Sequence, residues 1–506
     1  MNSVSRLLPI ALIVILLSTF GAGPTLGEAR PVQHQRAGVD DLLDATLRLD
    51  PYLQFGAREE PNRRVRVIVQ KTSRLIGSRV ISLAAGAPII EEFPFINALV
   101  IELPLGNLLA LAQVPGIRII THDGPVVAQA IETDPIETSY GFTVGADRVW
   151  NSENRALRAT GRGVTVAVID TGVNRSHPSL GSDVTCVNTN RRSSGCDDPH
   201  GHGTHVAGII SGQDAAGRYV GVAPDARVVA VKIADNDGVA LESDLIRGLQ
   251  WAHENRSAQQ IRVVNLSVSG ATPTSYVFSP IDNAVEQLWS SGIVVVASSG
   301  NAGTERDATW YPPGNDPFVI TVGCHDDNLT RETGDDSLCF FSSRGRTQDG
   351  FAKPDIIAPG RRIVSALAGR NTVLGRELSD RIVDEDYLRL SGTSMSAPVV
   401  SGIVALLLER HPRMTPDQVK WLLTSTEARY PGQASNDQAG LVDAFAAMEF
   451  QQNGGRLGAA NRGLLPSLGI LNLLGGLVGW DKSYYRESYW DKSYYRNVEE
   501  LNAHFD

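Results

Sequence analysis

Apolar and polar positions alternate in the first third of the chain in a way that predicts a small domain of strands and helices. Residues 64–70 alternate as a half-buried strand should, and residues 97–103 and 116–121 supply two more strand-like runs. A helical pattern lies between them at residues 106–113. We therefore predict an α+β domain within residues 28–130.

Longer apolar runs follow from Gly163 onward. The predicted strands are residues 164–169, 228–233, 263–268 and 293–297, and the predicted helices are residues 245–254 and 281–290. Valine- and isoleucine-rich runs without alternation are typical of a parallel sheet that is buried on both faces. The fold class predicted here is α/β, a doubly wound and mostly parallel sheet with helices on both faces. Ligands of such sheets bind beyond the carboxyl ends of the strands, where Asp170 and Asn301 fall.

The two ends of the chain depart from this globular pattern. Residues 1–27 place Arg6 before an apolar core at 7–17, which is the layout of a cleaved secretory signal. This core is short for a bilayer-spanning helix, although an uncleaved anchor is the alternative. Residues 451–462 are rich in Gly, Asn and Gln, and they predict a linker.

A short repeat marks the tail, residues 450–506. The sequence WDKSYYR begins at Trp480 and again at Trp490, after the apolar stretch 464–478. Two copies are too few to build a solenoid. We interpret the tail as a flexible or interfacial appendage. A more specific alternative is that it contacts a cell wall, a glycan or a membrane surface.

Composition narrows the class of protein. A chain of 506 residues with 42% hydrophobic residues can bury a large core in more than one domain. Its formal net charge of -10 and the absence of a basic stripe speak against a nucleic-acid partner.

The four cysteines predict two local disulfides. Cys186 with Cys196, and Cys324 with Cys339, would each close a short loop, which costs the least chain entropy. Disulfides belong to oxidising compartments, which agrees with the predicted signal. Zinc binding by these thiols is the alternative, and no Cys-x-x-Cys supports it.

Three segments supply the groups that amide hydrolysis needs. VTVAVIDTG contains Asp170, GHGTHVAG contains His202, and SGTSMSAP places Ser394 at the start of a helical pattern. A serine hydroxyl becomes a nucleophile when a base lies within hydrogen-bond reach and a third group orients that base. The segments therefore indicate an acid, a base and a nucleophile in the chain order Asp, His, Ser.

These segments resemble those of the subtilisin-like serine proteases, the subtilases. The resemblance extends through SSGNAG at Asn301, Tyr311 with the following proline, FSSRG at Phe341 and APG at Ala358, and it covers residues 137–449. It implies a serine endopeptidase that cleaves proteins and peptides through an acyl-enzyme and needs no cofactor for its chemistry. It also implies that the Asn301 side chain donates a hydrogen bond to the oxyanion.

The resemblance also selects one histidine. In subtilases the base directly precedes Gly-Thr-His, which is His202 here, whereas His205 falls one turn further along the helix and is expected to be structural. His200 is the other competitor for this role. A metal site built from the three histidines would leave Asp170 and Ser394 unexplained.

Subtilases carry an inhibitory propeptide whose C-terminal segment occupies the active-site cleft, and residues 93–124 resemble that module. The resemblance implies that residues 28–130 are the propeptide of a self-processing zymogen, cut between Asp123 and Tyr140. A permanent N-terminal domain is the alternative.

Substrate contacts are implied at a strand that pairs with extended peptides. It holds Ser267, Val268, Ser269 and Gly270, and the segment from Asp237 supplies the opposite edge. Ser269 departs from the glycine that is frequent in the family.

Trp310 departs from the small residue that lines the primary specificity pocket in subtilases. It would make that pocket shallower or pack into the core. Subtilases commonly bind calcium, and Asp214 lies in the matching loop, where the usual asparagine is missing. The pairs Asp197-Asp198 and Asp326-Asp327 are alternatives, so the metal ligands stay unknown.

We thus expect a secreted, monomeric serine endopeptidase made as a zymogen, with its own propeptide as inhibitor. A specialised processing protease is one alternative. An adhesion protein on a subtilase scaffold is another, although such a scaffold has no need for Asp170, His202, Ser394 and Asn301 together.

Overall fold

The computed structural model describes residues 45, 48–72, 77–128, 139–181, 183–213, 217–330, 333–431, 433 and 439–467. The predicted signal peptide, Asp214 and the repeat that begins at Trp480 lie outside these residues. Within the described part of the chain, no helix is long and apolar enough to cross a membrane.

The N-terminal part forms an antiparallel four-stranded sheet in the order β2-β3-β1-β4, with helices against it. Its strands are β1 (Arg64–Lys71), β2 (Ile89–Phe93), β3 (Ala98–Pro104) and β4 (Ile117–His122). Its helices are α1 (Pro51–Glu59), α2 (Ser78–Ala85) and α3 (Leu108–Ala112), with short 3-10 turns at Pro94–Ile96 and Leu105–Asn107. The strands predicted at 64–70, 97–103 and 116–121 are confirmed.

Both faces of this sheet are buried, which the alternation alone did not indicate. Val67, Val69 and Ile101 pack with the helices of their own domain. Ile68 and Val100, which point to the opposite face, join the core of the larger domain. Successive strand residues face opposite sides, so one strand contributes to two cores.

The larger part is built on an eight-stranded sheet in the order β14-β13-β12-β10-β6-β8-β7, with β17 beside β13. All its ladders are parallel except β13 with β14. The strands of this part are β5 (Pro125–Ala128), β6 (Thr165–Asp170), β7 (Val184–Asn188), β8 (Arg227–Lys232), β9 (Ala240–Leu241), β10 (Ile261–Leu266), β11 (Val268–Gly270), β12 (Val294–Ser298), β13 (Ile320–Asp326), β14 (Ser337–Leu338), β15 (Gly345–Arg346), β16 (Ala352–Lys353), β17 (Ile356–Pro359), β18 (Ile363–Ala366), β19 (Ile382–Val383) and β20 (Tyr387–Leu390). The predicted fold class is confirmed.

Helices cover this sheet on both faces. They are α4 (Tyr140–Thr143), α5 (Ala146–Trp150), α6 (His202–Ser211), α7 (Glu242–Asn255), α8 (Pro280–Ser290), α9 (Val373–Glu377), α10 (Thr393–Arg410), α11 (Pro416–Ser425) and α12 (Ala444–Gln452), with 3-10 turns at Thr333–Asp335 and Ser379–Arg381. Helices α6 and α10 pack together, and α7 packs with α8. The residues of α6 and of most of α10 are fully buried, so both helices begin inside the protein.

Both predicted disulfides are present. Cys186 bonds to Cys196, and Cys324 bonds to Cys339. The carbonyl oxygen of Cys196 accepts a hydrogen bond of 3.1 Å from the N–H of Val173, three residues after β6 ends. The first disulfide therefore ties β7 to the loop that leads into α6.

The structure differs from the prediction of a linker after residue 450. Helix α12 continues to Gln452, and the buried Asn461 donates through Nδ2 to Phe318 O at 3.0 Å and to Asp417 Oδ1 at 2.9 Å. The backbone N–H of the buried Ser467 donates to both carboxyl oxygens of Glu286, at 2.7 and 3.0 Å. The stretch 453–467 is thus part of the packed domain.

The glycines of this stretch serve close packing. A side chain at Gly458 would collide with the indole of Trp421, and one at Gly455 would collide with the ring of Phe450. Glycine in a linker makes the chain flexible, but in this stretch it lets the backbone lie directly on aromatic rings.

Two truncations test this packing. A chain ended after Gln452 should lose about 3 kcal/mol of unfolding free energy, because Glu286 loses both hydrogen bonds and Trp421 loses its cover. A chain ended after Ser467 should keep the stability of the full chain. Urea unfolding of the three proteins compares them, and equal stability of the shorter truncation would contradict a structural role for 453–467.

Candidate active site

Asp170 and His202 form a buried pair where β6 ends and α6 begins. His202 Nδ1 lies 2.8 Å from Asp170 Oδ1, and this oxygen also accepts the backbone N–H of Thr171 at 2.8 Å. Among the described residues, His202 Nε2 has no hydrogen-bond partner. The carboxylate thus holds one ring nitrogen and leaves the other free to accept a proton.

The surroundings of His202 shift its pKa upward. Burial of the imidazole lowers the pKa, but the negative charge of Asp170 and its hydrogen bond raise it by more, with a smaller contribution from Asp198. The net effect is a pKa above the ordinary value of 6.5. A raised pKa makes the neutral imidazole a stronger base.

Asp198 positions the start of α6, a role that the sequence analysis missed. Its Oδ1 accepts from Gly201 N at 2.8 Å and Thr171 Oγ1 at 2.7 Å, and its Oδ2 accepts from Thr204 N at 2.8 Å and Thr204 Oγ1 at 2.6 Å. A carboxylate that accepts the first N–H groups of a helix is a capping group. The signal in the sequence is an Asp shortly before a helix start.

Gly203 permits the contact between α6 and β6. A side chain at Gly203 would collide with the carbonyl oxygen of Gly172. The glycine that follows His202 in GHGTHVAG therefore has a packing reason, because it brings His202 within reach of Asp170.

Ser394 is the second residue of α10, and its neighbour Thr393 orients Asn301. Asn301 Oδ1 accepts from Thr393 N at 3.0 Å and from Thr393 Oγ1 at 3.1 Å. This arrangement turns Asn301 Nδ2 away, and within the described structure that buried donor has no partner. An oriented and unpaired amide donor beside Ser394 is suited to a developing negative charge.

Ser394 Oγ does not hydrogen-bond to His202 in this structure. It donates instead to the carbonyl oxygen of Ser267 at 3.0 Å, and Ser267 Oγ donates back to Ser394 O at 2.8 Å. Hydrogen bonds between nucleophile and base are often formed only once substrate is bound. Ser267, which was predicted as a substrate contact, thus touches the candidate nucleophile directly.

The predicted substrate strand is occupied by the N-terminal part of the chain itself. Strand β5 lies between β11 and β9, antiparallel to both. Ala128 pairs with Val268, and Val126 pairs with both Gly270 and Ala240. The described residues of this segment therefore take the position expected of an extended peptide.

The backbone of Trp310 lies beside this strand. Its carbonyl oxygen accepts from Thr274 N at 3.3 Å, and Pro312 O accepts from Gly270 N at 2.7 Å. The half-buried indole donates from Nε1 to Arg346 O at 3.1 Å, so its N–H is held by β15. Ser269, the other departure from the family, is buried, and its hydroxyl donates to Gly270 O at 3.2 Å.

The competing histidines lie outside the Asp–His pair. His205 donates from Nε2 to Leu388 O at 2.9 Å, and burial lowers its pKa to about 3. Burial also lowers the pKa of His200, whose ring packs where Gly238 leaves room. His205 is therefore a neutral structural residue at neutral pH.

Asp326 and Asp327, one of the two acidic pairs suggested for calcium, have protein partners. Asp326 accepts Arg362 Nη2 at 2.7 Å and pairs with Arg361, and Asp327 accepts the hydroxyl of Ser139 at 2.7 Å. The described part of the chain holds no group of three or more His, Cys, Asp or Glu side chains that could bind a metal ion.

An Asp–His pair, a serine at a helix start and an oriented amide donor at the carboxyl ends of a parallel sheet define the class of serine hydrolases. Residues 161–444 match the subtilase family, Peptidase_S8. The chain belongs to the subtilase family of serine endopeptidases.

Related sequences and a solved structure agree with this family membership. The chain is 39% identical to serine protease AprX of Bacillus subtilis over 56% of its own length and 66% of AprX. It is 32% identical to subtilisin E of Bacillus subtilis over 72% of its own length and 84% of that protein. Fervidolysin of Fervidobacterium pennivorans, a keratinolytic enzyme related to subtilisin, superposes with a TM-score of 0.61 at 25% identity, covering 78% of this chain and 62% of fervidolysin.

Proposed function

We propose that this chain is a secreted serine endopeptidase made as a self-processing zymogen. His202 is the general base, Asp170 orients it, Ser394 is the nucleophile and Asn301 stabilises the oxyanion. The observation that carries the proposal is the buried hydrogen bond of 2.8 Å between Asp170 and His202 Nδ1. The other ring nitrogen of His202, Nε2, has no partner among the described residues and can accept a proton.

The proposed reaction uses these groups in sequence. Ser394 Oγ releases Ser267 O, gives its proton to His202 Nε2 and attacks the carbonyl carbon of the substrate. Asn301 Nδ2 donates to the oxyanion, and His202 then returns the proton to the leaving amine. Water then gives a proton to His202 Nε2 and attacks the acyl carbon, and His202 returns that proton to Ser394 Oγ as the bond between this oxygen and the acyl group breaks. No cofactor takes part in these steps.

The pH dependence of hydrolysis tests this assignment. Because His202 must be neutral to accept a proton and its pKa is raised, kcat/KM of the mature enzyme for a peptide should rise with pH through a pKa above 6.5. A fluorophosphonate reagent should modify Ser394, with its rate following the same curve. A rate that is flat from pH 5 to 9, or a label on another serine, would contradict the role of the pair.

Contacts of the N-terminal domain support its role as inhibitor. Asp123 Oδ1 accepts Ser243 N at the start of α7 at 2.6 Å, and its Oδ2 accepts Ser243 Oγ at 2.7 Å. Glu91 forms an ion pair with Arg247 of α7 and lies 3.1 Å from Arg191. These charged contacts hold the proposed propeptide against α7.

The register of β5 suggests where processing cuts. Ala128 pairs with Val268, so one further step of the ladder would set Gln129 opposite Ser267, whose carbonyl oxygen touches Ser394 Oγ. We therefore propose the bond between Gln129 and Ala130 as the processing site. This bond lies between the predicted limits Asp123 and Tyr140.

A separate propeptide should inhibit the mature enzyme. A polypeptide of residues 30–129 should inhibit peptide hydrolysis, because a domain that takes the fold it has in the full chain would present β5 to the cleft. Asp123→Ala should weaken inhibition about 10- to 100-fold, since it removes two hydrogen bonds from a charged group. Glu59→Gln, at an exposed position of α1, is the matched control. Inhibition that is equally strong with Asp123→Ala would remove this interface from the proposal.

Secretion rests on the signal pattern of residues 1–27 and on the two disulfides, which persist in oxidising compartments. The tail beyond residue 467 carries the aromatic repeat, and we propose that it contacts a cell wall, glycan or membrane surface. The proposed enzyme acts as a monomer on protein and peptide substrates.

A further inference from the structure

Glu242 is a buried acid at the edge of the peptide-binding cleft that the proposed chemistry does not use. It is the first residue of α7 and directly follows β9, which pairs with β5. Its backbone N–H donates to Gly124 O at 2.5 Å, so it lies where the propeptide enters the cleft. Only 4% of Glu242 is exposed.

One carboxyl oxygen of Glu242 has no partner in the described structure and lies beside β11. Oε1 is buried without a hydrogen bond. A methyl group added at Gly270 would lie 3.2 Å from this oxygen, so the carboxyl group occupies the side of β11 to which a side chain at Gly270 would point. Because Gly270 has no side chain, a group from the opposite strand has room beside this carboxyl group.

The register of β5 with β11 identifies which substrate residue would project into the space beside Gly270. Val126 of β5 is the direct partner of Gly270. Directly opposed residues of an antiparallel pair project from the same face of the sheet. A substrate residue in the place of Val126 therefore projects toward Glu242. If processing cuts after Gln129, this is the fourth residue before the scissile bond.

Loss of the proposed propeptide would change the groups that set the pKa of Glu242. Burial raises the pKa of Glu242 well above 4.5, and the nearby carboxyl groups of Asp123, Asp50 and Asp282 raise it further. Asp123 and Asp50 belong to the propeptide and leave with it, and solvent then reaches the cleft. Release of the proposed propeptide therefore removes two of the three carboxyl groups that raise the pKa of Glu242.

We propose that Glu242 is a specificity-determining residue, which selects substrates with a lysine or arginine at the fourth residue before the scissile bond. This inference rests on the proposed peptidase function. A lysine or arginine there would supply the missing donor to Oε1 and favour the carboxylate form of Glu242. An aspartate there would bring two carboxylates together.

Fluorogenic peptides that differ only at this residue test the proposal on the self-processed enzyme. Lysine should raise kcat/KM about fivefold over valine and at least about tenfold over aspartate, which is typical of a partly exposed charge contact. Lysine placed at the third residue, which projects from the other face of the strand, should give no gain.

Two variants separate Glu242 from the general charge of the cleft. In Glu242→Gln, the ratio of kcat/KM for the lysine peptide to kcat/KM for the valine peptide should be close to one. Glu254→Gln makes the same substitution at an exposed position near the other end of α7 and should leave this ratio unchanged. A preference for lysine that survives in Glu242→Gln would overturn the proposal.

Measurements of the same peptides with the wild-type enzyme test the role of Glu242 even if Glu242→Gln does not mature. Equal kcat/KM for lysine and aspartate in the mature wild-type enzyme would overturn the role of Glu242, while hydrolysis itself would uphold the peptidase function. If the mature enzyme hydrolyses none of the peptides and Ser394 is not labelled, the proposed function fails instead.

Discussion

Replacing Ser394 by alanine is expected to abolish peptide hydrolysis and to leave the chain as an uncut precursor. The substitution removes the oxygen that attacks the carbonyl carbon, and the same oxygen would be needed to cut the chain before Ala130. In subtilisin, removal of the serine lowers kcat about 10⁶-fold. Hydrolysis of a fluorogenic peptide and the intact mass of the purified protein measure the two effects.

Ser290→Ala is the matched control, because Ser290 is an exposed residue at the end of α8. It should mature and hydrolyse peptides as the wild type does. If purified Ser394→Ala were cut normally with no other protease present, processing would not be autocatalytic, and the zymogen part of the proposal would fail.

Replacing Asp170 by asparagine is expected to lower the rate of hydrolysis about 10⁴-fold without disturbing the fold. Oδ1 accepts from His202 Nδ1 at 2.8 Å and from Thr171 N at 2.8 Å, and an amide can keep only part of this pattern. The amide also favours the wrong tautomer of His202 and stabilises its charged form less. The rate at which the precursor converts to the mature form measures the loss.

The fold of this variant is checked by urea unfolding, and Asp183→Asn, at an exposed position before β7, is its control. Precursor conversion within about tenfold of the wild-type rate would exclude Asp170 as the group that orients the base. Unfolding at much lower urea would instead assign Asp170 a structural role.

Much of this architecture could be predicted from local pattern. The runs of Val and Ile before Asp170 predict a buried strand because a strand covered by helices has no polar face, and β6 confirms it. The disulfide of Cys186 with Cys196 was predictable because short loops close at the least entropic cost. Such features depend on residues that are close together in the chain.

Features that depend on contacts between distant segments could not be predicted in this way. Glycine-rich composition predicted a linker at 451–462, whereas Gly458 lies on Trp421 and Asn461 reaches Phe318. Composition measures the freedom of an isolated chain, but packing against aromatic rings removes that freedom when the partner is far away in sequence.

The sequence by itself determined the main strands of the two sheets, such as β1 and β6, the disulfide pairing and the motifs that contain Asp170, His202 and Ser394, because periodicity and spacing are local properties. Only the tertiary structure decided that Asp198 holds the start of α6, that Thr393 turns the amide of Asn301, and that the carboxyl group of Glu242 lies buried beside β11 with no partner for Oε1 among the described residues. Hydrogen-bond partners and burial depend on which distant segments meet, and that depends on how the sheets and helices pack.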